Sequence, residues 1–177
     1  MTNILAISGS LRRESTNRAV LAAAAQLAPP GMHIEIYPGL GDLPLFTPDL
    51  DGDGLPPAVA VLRSRIDRCD GLLICSPEYA RGIAGAMKNL LDWLVSSNEF
   101  PGKAVAVINA SQRAVHADAH LKLTLGTMSA RVVEDASIVL PLLGTGYNVD
   151  QIVGDKRIST PLANALIALD AAVRRED

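Results

Sequence analysis

The chain is poor in aromatic residues, with one Trp, three Tyr and two Phe among 177 residues. That leaves little stacking surface for single-stranded nucleic acid. It also lacks a positive excess: the net charge is -3 and Lys and Arg are scattered, so no basic stripe marks a nucleic-acid face. Long apolar runs are missing as well. The longest inside helix-like sequence, AVLAAAA at 19–25, falls far short of the roughly 20 residues that span a bilayer. The start, MTNILAIS, has no basic leader and does not read as a signal peptide. These absences predict a cytoplasmic protein with neither a membrane nor a nucleic-acid partner. Cysteine is scarce too. Cys69 and Cys75 fall at a helix end and in a buried strand, where a reducing compartment leaves them as packing residues. What is abundant is apolar side chain, 49% of the composition, which over this length suits one compact domain covering residues 1–177.

Continuous apolar runs at ILAI (4–7), LLIC (72–75), VAVI (105–108) and SIVL (137–140) predict inner strands of a parallel sheet, covered on both faces. HIEIY (33–37) alternates polar and apolar residues and predicts an edge strand. Between the runs the period turns helical. Ile83, Met87, Leu90, Leu91, Leu94 and Val95 form one sheet-facing stripe, and Val59, Leu62, Ile66 and Cys69 form another behind Pro56 and Pro57. Thr160 and Pro161 read as the N-cap and first-turn proline of a last helix carrying Leu162, Leu166, Leu169 and Val173. Further helices are expected near 16–28 and 114–129. This βα alternation predicts an α/β fold: a doubly wound, five-stranded parallel sheet of strand order 2-1-3-4-5. Ligands of such a sheet bind beyond the carboxyl ends of strands one, three and four.

Three loops therefore carry the function. The first, SGSLRREST at 8–16 followed by Asn17, fits neither of the two commonest phosphate-cradle motifs. It nevertheless gathers Ser10, Ser15, Thr16 and Asn17 as donors and Arg12 as a forked cation, just ahead of a helix start. That set suits a dianionic phosphomonoester. A plainer reading has Ser15 or Asn17 merely capping the helix. In the second loop Pro77 fixes a turn, Gly82 and Gly85 let main chain approach a flat ligand, and Tyr79 supplies an aromatic edge.

Two long motifs in this order, GSLRxxSxN at 9–17 and PEYxxxxxGxxKNxxDW at 77–93, resemble those of the NADPH-dependent FMN reductase family, which includes quinone, azo-dye and chromate reductases and has a flavodoxin-like fold. The resemblance implies that Ser10, Arg12, Ser15, Thr16 and Asn17 hold the FMN phosphate. It further implies that Pro77, Glu78, Tyr79 and Ala80 line the isoalloxazine ring, with Ser111 from the third loop. The implied activity takes a hydride from NADPH or NADH onto FMN and passes two electrons to a small-molecule acceptor such as a quinone, an azo compound, chromate or free flavin. A homodimer or homotetramer is implied as well, and Trp93, Leu123, Leu125 and Met128 are read as spare apolar surface for it. The chain departs from its relatives at Ala80, where they usually carry Asn, and at Ala84, where they usually carry Pro. The third loop, NASQRAVHADAH at 109–120, lacks their glycine pair, so Ser111 and Gln112 are expected to substitute. Two other readings stay open: a flavodoxin-like electron carrier, and a flavin-free sensor or subunit of the same fold.

Three weaker signals point elsewhere. DLDGDG at 49–54 begins like a calcium loop, but its twelfth position is Ala60 rather than Glu. His116 and His120 stand one helical turn apart without an evident third metal ligand. Glu78 is not read as a catalytic acid, because hydride transfer to a flavin requires none from the protein.

Overall fold

The computed structural model describes residues 1–176. In chain order the strands are β1 (Thr2–Ser8), β2 (Met32–Ile36), β3 (Gly71–Cys75), the short pair β4 (Glu78–Tyr79) and β5 (Gly82–Ile83), β6 (Ala104–Asn109), β7 (Arg131–Val132) and β8 (Ile138–Val139). The helices are α1 (Thr16–Leu27), α2 (Pro57–Arg68), α3 (Gly85–Leu94), α4 (Val115–Thr127), α5 (Val149–Gly154) and α6 (Lys156–Val173). The main sheet is parallel in the order β2-β1-β3-β6-β7, the doubly wound arrangement read from the sequence. Successive side chains of a strand face opposite ways, so each apolar run feeds two cores. Ile4 and Ala6 pack with Val20, Leu21, Leu162 and Leu166 on one face. Leu5 and Ile7 pack with Leu62, Ile66, Met87 and Leu90 on the other. Among the described residues no helix is long and apolar enough to cross a membrane.

The fifth strand differs from expectation. SIVL is not an inner strand: the sheet's last position is filled by two fragments, β7 beside the start of β6 and β8 beside its end. A 3-10 turn at Glu134–Ala136 separates them. Ser137 explains how the ladder survives the break. Its hydroxyl accepts the Val107 amide hydrogen at 3.1 Å and donates to the Val133 carbonyl at 2.9 Å, standing in for missing main chain. Having no further strand outside it, Val139 is half exposed.

The last helix also begins earlier than expected. Asp155, not Thr160, is its N-cap, accepting from the Arg157 amide at 3.0 Å, and Pro161 lies inside α6. Proline removes one hydrogen bond to the carbonyl four residues back. Here that carbonyl belongs to Arg157, and Arg157 and Pro161 are both exposed, so water can satisfy it. In addition α5 precedes α6, closed by a capping box between Asn148 and Gln151.

The sheet-facing stripe of α3 is shorter than predicted, since Ile83 belongs to β5 and Val95 is exposed. Trp93 and Leu125, read as spare surface, are fully buried, and Met128 packs against the same core. Of that set only Leu123 is widely exposed. Trp93 is turned inward by the long connection before α2. Its Nε1 donates to the Pro44 carbonyl at 2.8 Å and its ring meets Phe46 edge-on at 5.0 Å. Asn89 adds two bonds to the same stretch, accepting from the Phe46 amide and donating to Pro44. Further along, Asp51 of the calcium-like segment pairs with Arg63 at 2.8 Å and accepts a hydrogen bond from Ser96. The Ser96 hydrogen bond, with the Arg63 guanidinium beside it, holds its carboxyl below the usual range.

Candidate active site

Strands β1, β3 and β6 end at one edge of the sheet, and the loops after them surround a cavity of about 400 Å³. The first loop can lie this close to the second because residue 9 has no side chain. The Gly9 amide donates to the Cys75 carbonyl at 2.9 Å. A Cβ on Gly9 would stand 2.2 Å from Ser76 Oγ and 3.0 Å from Ser76 Cα.

The loop then bends through two local bonds, Ser10 amide to Ser8 Oγ and Arg12 amide to Ser10 Oγ, each 3.3 Å. Ser15 occupies the N-cap position of α1 in extended backbone, yet its side chain makes no capping bond, and no acidic residue sits in the first turn. The orphan amides and the positive end of the helix dipole are thus left for an anion. Asn17 is buried. Its Oδ1 accepts the Cys75 thiol hydrogen at 3.2 Å, and burial pushes the Cys75 pKa up and keeps that thiol protonated. The Asn17 amide hydrogens therefore remain as donors. Arg12 is exposed, and its guanidinium has no ion-pair partner among the described residues. Hydroxyls, an amide, a guanidinium and an uncapped helix start together fit a dianionic phosphomonoester.

Pro77, Glu78 and Tyr79 also line this cavity. Glu78 has a definite task, since its Oε2 accepts from the amides of His116 at 3.0 Å and Ala117 at 2.8 Å. It caps α4, whose own N-cap residue, Ala114, has no side chain able to do so. The carboxylate fixes the third loop against the second.

Ala80 does not line the cavity. It and Arg81 form the two-residue turn between β4 and β5, with φ of 51° and 59°. Such turns favour Asn and Gly because other side chains crowd the backbone at positive φ. An Asn here would relieve backbone crowding that Ala bears. Ala80→Gly should raise stability by about 1 kcal/mol and leave FMN affinity unchanged, read by thermal melting and calorimetry. Tighter FMN binding without a higher melting temperature would return position 80 to the ring.

The third loop is organised by Asn109, a buried residue outside the sequence-predicted set. Its Oδ1 accepts from the Ser111 amide at 2.9 Å and its Nδ2 donates to the Ala114 carbonyl at 3.1 Å. Ser111 lines the cavity, whereas Gln112 does not. Arg113, Leu142 and Leu143 complete it and carry no motif that would have revealed them. Leu11 beside this wall, and Tyr79 and Leu143 within it, are each more than half exposed. His116 and His120 lie exposed on α4. A larger groove of about 810 Å³ lies between β2 and α2. It borders the first half of β1, away from the strand carboxyl ends, and is lined in part by the Glu35–Arg65 ion pair.

A doubly wound parallel sheet with these three loops at its carboxyl edge has the build of a flavodoxin-like flavoenzyme, an oxidoreductase. The model of the NADPH-dependent FMN reductase family matches residues 2–142, and the chain belongs to that family. It is 34% identical over 177 residues to an NAD(P)H-dependent FMN reductase of Pseudomonas aeruginosa, covering 97% of this chain and 95% of that one. A quinone reductase of Escherichia coli is 31% identical over 136 residues, 73% of this chain and 72% of its own. Among solved structures, the flavoenzyme NAD(P)H:acceptor oxidoreductase FerB of Paracoccus denitrificans superposes with a TM-score of 0.84 at 28% identity, covering 99% and 98% of the two chains. FMN as cofactor and NAD(P)H as co-substrate are consistent with this membership.

Proposed function

We propose that residues 1–177 act as one FMN-binding domain that uses NADPH or NADH to reduce a small-molecule acceptor such as a quinone, an azo compound, chromate or free flavin. The observation that carries this reading is the uncapped start of α1, opening into the cavity beside Arg12, which has no ion-pair partner among the described residues. Ser10, Arg12, Ser15, Thr16 and Asn17 would hold the phosphate. Pro77, Glu78 and Tyr79 would wall the ring on one side and Ser111 on another. When bound, FMN would supply the redox chemistry, linking hydride from the nicotinamide to two-electron reduction of the acceptor. The chain's own share is placement. Asn109 and Glu78 fix the third loop, and Gly9 brings the first loop against the second. Co-substrate and acceptor would occupy the same space in turn, so ping-pong kinetics are expected.

The exposed apolar residues in and beside the cavity wall, Leu11, Tyr79 and Leu143, support assembly as a homodimer or homotetramer that shields them. The two cysteines are buried thiols, which supports a reducing, cytoplasmic setting. The test is the absorbance spectrum of the purified protein before and after FMN and NADPH, paired with calorimetry. FMN should bind and bleach with NADPH. Riboflavin, lacking the phosphate, should bind at least about tenfold more weakly, and Arg12→Ala should weaken FMN by about 1.5 to 3 kcal/mol, the scale of a hydrogen bond to a charged group. Equal affinity for the two flavins would overturn the phosphate placement. A protein that takes up no FMN would overturn the flavin reading.

A further inference from the structure

Cys75 ends β3, fully buried, and stands behind the cavity wall rather than in it. The loops of the site meet on this residue. Its thiol donates to Asn17 Oδ1 at 3.2 Å and its carbonyl accepts the Gly9 amide at 2.9 Å, both partners belonging to the first loop and the helix start it leads into. From the third loop, the Ala110 amide donates to the Cys75 sulfur. The consequence falls on Asn17. A carboxamide has an acceptor end and a donor end, and a half-turn of the group exchanges them. With its sulfur accepting from Ala110, the thiol offers its hydrogen, and burial raises its pKa so that the hydrogen stays. Only Oδ1 can take it. The NH2 end of Asn17 then has to face away from Cys75, on the side of the cavity that Asn17 lines. Its Nδ2 has no hydrogen-bond partner among the described residues, yet it is not sealed from solvent.

We propose that Cys75 is a positioning residue for the phosphate site: its S–H holds the Asn17 side chain with the amide hydrogens toward the bound anion. The proposal rests on the FMN reading above. It gives a buried thiol a part in recognition although the thiol never touches the ligand. Without that donor the Asn17 group is free to turn and present its carbonyl oxygen to a dianion, which repels it. An amide hydrogen aimed at a phosphate oxygen is instead a charge-assisted bond, roughly twice as strong as a neutral one. The effect is therefore confined to flavins that carry a phosphate.

The test compares FMN with riboflavin by calorimetry in wild type, Cys75→Ala, Cys75→Val and Cys75→Ser. The Ala variant leaves a void and the Val variant crowds its neighbours, so the two disturb packing in opposite senses, and a loss common to both follows from the missing donor. Each should bind FMN about tenfold more weakly than wild type, within the range of a hydrogen bond to a charged group, with riboflavin affinity unchanged. Cys75→Ser restores a donor and should recover most of the FMN affinity. In an Asn17→Ala background the same Cys75 substitutions should change FMN affinity little, because the side chain they orient is gone. Equal losses for FMN and riboflavin, unchanged FMN affinity in both donor-free variants, or a loss that Cys75→Ser shares would overturn the positioning role and leave the flavin reading standing. Wild-type protein that takes up no FMN would overturn the flavin reading and this role with it.

Discussion

Gly9→Ala is expected to remove most FMN binding and to destabilise the fold together. The new methyl would meet the Cβ of Ser76 at 2.7 Å and its Cα at 3.0 Å. Rotating the Ser76 hydroxyl relieves only the nearest contact, so backbone must shift. Overpacking of this kind costs about 1 to 3 kcal/mol of stability. The displaced segment is the one that positions Ser10, Arg12 and the start of α1, so FMN affinity should fall by at least about tenfold, equivalent to 1.4 kcal/mol. Calorimetry with FMN and a thermal melt check both halves. Wild-type affinity and melting temperature in Gly9→Ala would show that the two loops have slack the contacts do not reveal. Ser76→Gly in the same background should recover part of the loss by removing Cβ and Oγ.

The second large effect is expected at Trp93. Trp93→Ala should cost about 3 to 5 kcal/mol in urea unfolding, the usual range for deleting a buried Trp. Here the indole is fully buried and bonded to Pro44. Trp93→Phe keeps most of the apolar contact and loses the Nε1 hydrogen bond, so it should cost about 1 kcal/mol. The same experiment reports on the connection between β2 and α2, which Trp93 and Asn89 hold at Pro44 and Phe46. Trp93→Ala should expose that connection to limited proteolysis near Leu45, which is 84% exposed in the native protein. A loss under about 1 kcal/mol, the scale of a single net hydrogen bond, would mean that the connection is held from elsewhere.

The inner strands were legible because burial on both faces leaves an uninterrupted apolar run, as at Leu72–Cys75. The order of the sheet followed from one exception, the alternation at His33–Tyr37. The fifth strand misled because SIVL has the composition of a buried strand, while a side-chain hydroxyl from Ser137 is what completes the neighbouring ladder. Pro161 misled because proline at a helix start is favoured, and an exposed proline further in is tolerated where solvent can reach the orphaned carbonyl. In the site, hydrogen-bonding chemistry was visible in the residue types of 10–17. The tasks of Glu78 and Asn109 were not, because they bind backbone atoms brought near only by the fold. Trp93 was misassigned for the same reason: nothing in the spacing of α3 says that residues 44–46 will close over it.

The broken fifth strand bears on how the molecule behaves in a crowd. An open sheet presents two raw edges, each able to recruit an extended segment from another chain. On one side the outermost pieces, β7 and β8, are two residues each and separated by a turn, too short and too discontinuous to template a sixth strand. On the other, β2 is a continuous five-residue strand whose outward Glu35 is tied to Arg65 on α2. An invading strand would have to pass a charged pair there. If either edge gives way under heat or at high concentration, β2 is the one through which chains should begin to stick together.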